Sequence, residues 1–271
     1  MRPIPLPELS VTEQNVCPTT AAERRRAFEL YELVLPVLSS VSTTADIGVL
    51  RMRLVRPIVL WRRGGRRFAY DTVTVVTNKA LNNASPEHLA ENGYAEVVND
   101  SITTFYAPDG DALASPSFLA THCLWWVERG GEKSVGLGFE PKPGRGLVDV
   151  KGVLWVDTVT GGPEELEFQY TSLRPFLRQH LLPLLRQQVL SRLPEGLRYR
   201  ASFGRIEIDE SLFGGELQFE RIAHDRWLIR EWTIRRPRLG RFTLTEPGRH
   251  TVWPRAFPLT VSGEVLAIIP P

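Results

Sequence analysis

Lys151-Gly-Val-Leu-Trp-Val-Asp157, continued by Glu165-Leu-Glu-Phe-Gln-Tyr170, is the stretch whose reading decides the fold. The pattern returns at Gly215-Glu-Leu-Gln-Phe-Glu220 and at Trp227-Leu-Ile-Arg-Glu-Trp-Thr-Ile234. Each segment largely alternates apolar and polar residues, the period of a strand with one buried face and one wet face. Together they predict a curved antiparallel sheet. None of them carries a catalytic motif.

Working outward, Ser134–Glu140 and Val148–Asp157 read as strands of the same meander, with a turn at Thr158–Pro163. Two long strands, Ile47–Arg62 and Arg67–Thr77, flank Gly64-Gly65, a hairpin signal. Tyr94–Val98 and Ile102–Tyr106 form another hairpin. A helix is predicted from about residue 20 to 35: Thr19 or Thr20 caps it, Glu23 supplies the capping-box acid, and Pro36 kinks or ends it. Ser85, Pro86 and Gly93 bracket a short helix. Pro108–Ala120 reads as a polar loop with one helical turn near its end. Leu173–Leu193 reads as an inserted helix that Pro183 bends or splits. Residues 1–18 read as an extended segment, 173–197 as a helical insertion, and 238–271 as a Pro-rich tail ending in a strand at Leu259–Ile268.

The chain has 271 residues, 42% hydrophobic and 24% charged, which is a globular composition and not a disordered one. A net charge of +2 excludes a strongly electrostatic identity for the whole molecule. The basic residues are lopsided: 4 of the 33 are Lys and the other 29 are Arg. Arg forks bind phosphate and carboxylate in bidentate fashion, and an Arg-favouring genome gives the same count. No apolar run approaches the roughly 20 residues that span a bilayer. Cys17 and Cys123 suit neither a zinc site nor a disulfide-dense scaffold. They form either one bridge or two buried thiols. A bridge would close a loop of about a hundred residues, worth roughly 4–5 kcal/mol in the chain-entropy model.

Six short blocks fall in order: Asn92-Gly-Tyr, Phe105-Tyr-Ala-Pro-Asp109, Ser117-Phe-Leu-Ala-Thr-His-Cys123, Gly136-Leu-Gly-Phe-Glu-Pro141, Gly152-Val-Leu-Trp-Val-Asp157 and Leu166-Glu-Phe-Gln-Tyr170. The series resembles the C-terminal half of bacterial carboxypeptidase regulatory-like domain-containing proteins, over roughly residues 8–172 and 214–236. The resemblance implies an exported, envelope-associated protein and no peptidase activity. It lacks that family's N-terminal sandwich, and the Leu173–Leu193 helix and the tail after Arg238 depart from the pattern. If Met1 is a true start, the chain reads as cytoplasmic instead. The strand-plus-helix pattern is more loosely similar to the half-barrel of periplasmic lipoprotein carriers, which is an analogy of fold and not of function.

Asp109, Asp111, Ser115, Ser117 and His122 contain the residue types of a nucleophile–base–acid system, but no Gly-x-Ser-x-Gly elbow is present. Capping and turn roles explain the same residues. Asp109, Asp111 and His122 could also assemble a metal site, although no helical His pair supports one, and neither metal nor cofactor is expected. Glu165, Glu167 and Glu220 fit a solvated strand face better than a glycosidase pair. Arg51, Arg53, Arg56, Arg62, Arg63, Arg66 and Arg67 cluster without an acid, and Arg230, Arg235, Arg236, Arg238 and Arg241 form a second group. Arg51, Arg53, Arg62, Arg63, Arg66 and Arg67 are candidates for lipid or envelope anions, with nucleic acid the weakest of the partners.

These readings converge on an α+β, mostly β protein: a strongly curved, half-barrel-like antiparallel sheet with helices 20–35 and 173–193 against its concave side. The expected function is a non-enzymatic envelope module that binds an apolar or lipid-like ligand or a partner protein. Candidate pocket residues are Trp125, Trp155, Phe168, Leu177, Leu181, Phe219 and Trp232. The alternatives are a structural or interaction domain with a filled core, and a hydrolase working from the Asp109–His122 segment.

Overall fold

Local sequence signals set the ends of the helices that line one side of the molecule. The computed structural model describes residues 17, 19–41, 48–62, 65–99, 102–129, 133–198, 201–223, 226–246 and 249–270. Helix α1 spans Ala21–Val41. Its start is a reciprocal capping box: the Thr20 backbone N–H donates to Glu23 Oε2 (2.9 Å) and the Glu23 N–H donates to Thr20 Oγ1 (3.2 Å). Pro36 does not end it. Ala27, Leu30, Tyr31, Val34, Leu38 and Val41 make one buried stripe at helical spacing, and burial on both sides of the proline offsets the lost hydrogen bond. Helix α2, Pro86–Asn92, has Ser85 as its cap and Gly93 at φ 79° after its end, a conformation that glycine adopts without strain.

The main sheet is open and almost wholly antiparallel. Its strands are β1 (Val49–Arg62), β2 (Gly65–Thr77), β5 (His122–Glu128), β6 (Ser134–Pro141), β7 (Asp149–Asp157), β8 (Pro163–Thr171), β10 (Gly214–Ala223), β11 (Arg226–Glu246) and β12 (Arg249–Ile269). They lie in the order β2-β1-β12-β11-β10-β8-β7-β6-β5, and β9 (Ala201–Phe203) pairs in parallel with β12. Strands β3 (Ala95–Asn99) and β4 (Ile102–Phe105) form a separate ribbon. The sheet is curved, as expected of a half-barrel. Bulges between Gln218/Phe219, Arg51/Met52 and Trp155/Val156 suit that curvature.

Two segments differ from the sequence reading. The described residues from 238 to 269 are not a tail. They are most of the β11–β12 hairpin, whose C-terminal strand lies inside the sheet between β1 and β11. Pro237 faces Pro258 and Pro254 faces Arg241. Strand alternation puts all three prolines in one class of ladder position, where the missing N–H would point away from the partner strand. There β12 is bordered by irregular chain: the Glu207 N–H donates to the Pro254 carbonyl (2.9 Å). The second difference is Pro108–Ala120, which is not a loop with a single turn. It forms two short helices, α3 (Gly110–Ala114) and α4 (Pro116–Thr121).

The inserted helix is continuous but irregular. Leu173–Phe176 and Leu182–Leu190 are α-helical, joined by a π turn at Leu177–Leu181 where the Leu182 N–H bonds the Leu177 carbonyl five residues back. Pro183 cannot donate to residue 179 and its ring would press on that carbonyl, so the preceding turn widens. Leu173, Leu177 and Leu182 join the main core, and Phe176 meets Phe105 edge-on at 6.0 Å.

Candidate functional site

The concave face of the sheet is divided. Over β5–β8 and β10 it is filled. Leu154, Val156, Leu166, Phe168, Tyr170, Leu217 and Phe219 point inward and are buried beneath α1 and its neighbours. Over β1, β2, β11 and β12 part of the face is also buried, Met52, Trp232 and Ile234 among it, but a groove remains where Leu54, Val75, Arg236 and Val261 are only partly covered. Met52 and Leu54 from β1, Val75 and Thr77 from β2, Trp232, Ile234 and Arg236 from β11 and Val261 from β12 floor a groove of about 300 Å³. The 79–83 loop, Phe105 and Ala107 wall it. Register brings these distant residues together: Met52 lies opposite both Val75 and Val265, and Leu54 opposite Gly263, which itself faces Trp232. Gly263 is required there, because a Cβ would lie 2.5 Å from the Trp232 ring. The Trp232 indole N–H donates to the Ala80 carbonyl (3.0 Å), tying the loop wall to the sheet floor.

The groove is apolar with a positive bias. No Asp or Glu lines it among the described residues. Lys79, at the rim, is 3.8 Å from Asp111. Arg236 is only partly exposed and has no carboxylate within salt-bridge distance among the described residues. Burial holds its guanidinium below the usual arginine range, and the nearby Tyr170 hydroxyl partly opposes that effect.

The expected pocket residues do not converge on one cavity, which corrects the sequence reading. Phe168, Leu177 and Phe219 are packed in the filled half, and Leu181 lies partly buried against that core. Trp125 and Trp155 alternate onto the opposite, convex face. Of the seven, only Trp232 lines the groove. Trp125 borders a separate depression of about 390 Å³ with Glu140, Lys151, Glu167, Glu216 and Arg235, and Phe168, a second of the seven, also touches it. That face is a lattice of paired charges. The Trp155 indole N–H donates to Glu167 (3.1 Å), Gln218 Nε2 donates to Glu165 (2.7 Å), and Arg235 pairs with Glu216 (3.1 Å). Glu220 pairs with Arg230 at 3.3 Å.

The arginine cluster on β1 is also more neutralised than its sequence implies. Arg53 is bonded to Glu264, and Arg56 is 3.7 Å from Asp71. Arg51 is exposed. Arg63 lies outside the described residues, as do the side chains of Arg62, Arg66 and Arg67. Cys17 and Cys123 are joined by a disulfide with Cα atoms 5.4 Å apart.

The Asp109–His122 residues are used locally. Asp109 caps α3 through the Ala112 N–H (3.0 Å), and Ser115 caps α4 through the Phe118 N–H (3.0 Å). The acid beside His122 is Asp149, which the sequence reading missed: His122 Nε2 is 3.0 Å from Asp149 Oδ1, and both side chains are buried. The Arg145 Nε–H donates to the other Asp149 oxygen (2.5 Å), and Thr121 Oγ1 is 3.0 Å from His122 Nδ1. Phe118 stacks on the imidazole at 4.0 Å. The space beside this chain of groups is about 10 Å³, far below the several hundred cubic ångströms usual for a small-molecule site. It is a satisfied buried network that pins α4, β5 and β7 together.

Compared with known proteins, the chain matches no family model, no curated protein and no solved structure.

Proposed function

We propose that the chain is a non-enzymatic, envelope-associated module whose concave groove binds an apolar, lipid-like ligand. The observation that carries this reading is the groove on the concave face, about 300 Å³ bordered by the partly exposed Leu54, Val75 and Val261 and by the edges of the buried Met52, Trp232 and Ile234. That is the lower end of the size usual for small-molecule sites, which are mostly apolar with a few placed polar groups. The Cys17–Cys123 bridge favours an oxidising compartment, in keeping with export.

Native mass spectrometry of the wild type and of Val75→Arg, each incubated with decanoate, tests the proposal. Val75 is partly exposed, so its arginine variant fills the groove without opening the core. The wild type should gain the mass of one ligand and the folded variant none. No gain in the wild type leaves a structural or interaction domain as the better account.

A further inference from the structure

We infer that the ligand of this groove is an anionic amphiphile whose headgroup, a carboxylate or a phosphate, is held by Arg236. The inference rests on the groove being the ligand site. It begins with an imbalance of charge. Removing a guanidinium from water is costly unless an anion or a set of acceptors replaces the water. Several other arginines follow that rule: Arg53, Arg230 and Arg235 on the sheet have Glu264, Glu220 and Glu216, and the mostly buried Arg145, in the loop before β7, has Asp149. Arg236 follows Arg235 directly on β11, and alternation turns it to the concave side. There it lines the groove, partly buried, with no acid from the described residues beside it.

Position argues the same way. Trp232, Ile234 and Arg236 follow each other along one face of β11, so an extended chain lying over Trp232 and Ile234 brings its polar end to the arginine. Arginine's planar fork suits both carboxylate and phosphate in two-pronged contact. The absence of Asp or Glu from the described lining leaves nothing to repel either anion. A neutral lipid of the same length would fill the apolar floor equally well but leave the guanidinium unanswered.

The test compares decanoate, decyl phosphate and decanol by isothermal titration on the wild type, Arg236→Gln and Arg236→Lys. The wild type should bind at least one of the two anions about tenfold to a hundredfold more tightly than decanol, the range of a charged hydrogen bond. Arg236→Gln should lose that preference and keep its affinity for decanol. Arg236→Lys should keep part of the preference, because it restores the charge without the fork. The tighter of the two anions identifies the headgroup chemistry. Without ligand, Arg236→Gln should melt no lower than the wild type, which separates lost binding from lost fold. Equal binding of anions and decanol by the wild type, or an anion preference that survives in Arg236→Gln, overturns the inference and leaves the groove reading standing. If none of the three binds the wild type, the groove reading itself fails.

Discussion

The two halves of the concave face are built from the same material and end differently. On the β5–β10 side, inward residues such as Phe139, Leu166 and Phe168 meet α1, the short helices and the start of the inserted helix, and almost nothing is exposed. On the β1–β2–β11–β12 side, Met52, Trp232 and Ile234 are buried at the inner edge, but the equally apolar Leu54, Val75 and Val261 are only partly covered and border an open groove walled by the 79–83 loop, Phe105 and Ala107. A strand therefore does not decide whether its buried face becomes core or binding surface. What is laid over it decides.

The largest expected effect breaks that comparison most directly. Phe168→Ala, in the filled half, should cost about 3–5 kcal/mol, because it removes a ring from a packed interior and leaves a cavity. Leu54→Ala, on the groove floor, should cost roughly 1 kcal/mol, since the space beside it is already open. Urea unfolding of the two variants measures the contrast, and equal losses would mean that the two halves are packed alike. Next in size, Cys123→Ser should cost about 2–5 kcal/mol, because the bridge closes a loop spanning 106 residues and fixes the entry to α1. The same loss should follow when the wild type is reduced before unfolding.

The smallest effect lies at the seam between the halves, where Asp109 borders a small space with Val41, Leu50 and Lys79. Burial, more than any neighbouring charge, raises the Asp109 carboxyl above its usual range. A carboxyl with a raised folded pKa binds its proton more tightly in the native state. Its contribution therefore improves as pH falls through the folded value towards the unfolded one, and is lost as pH rises. Asp109→Asn should flatten that part of the stability–pH curve. An unchanged curve would show that the group is solvated.

Much of the filled half was legible in the sequence. Alternation marked β7, β8 and β10, and the Thr20–Glu23 and Ser85–Gly93 signals placed two helix ends, because these are local patterns read within a few residues. The paired ends of the groove were not legible. Its floor joins Met52, Val75, Trp232 and Val261, which only register brings together. An apolar residue on a strand looks the same whether a helix or a ligand covers it. Pro237, Pro254 and Pro258 disguised the long hairpin as a tail, since their fit depends on a ladder class that appears only once the strands are paired. Asp149 was missed beside His122 because β7 carries it there from another part of the chain.

A crystal structure grown with decanoate tests the central claim most directly. The expected result is continuous density along the floor between Val75 and Trp232, with the carboxylate at the Arg236 guanidinium and the filled half unchanged. Density for the chain on the convex face by Trp125, or a groove empty at saturating decanoate, would contradict it.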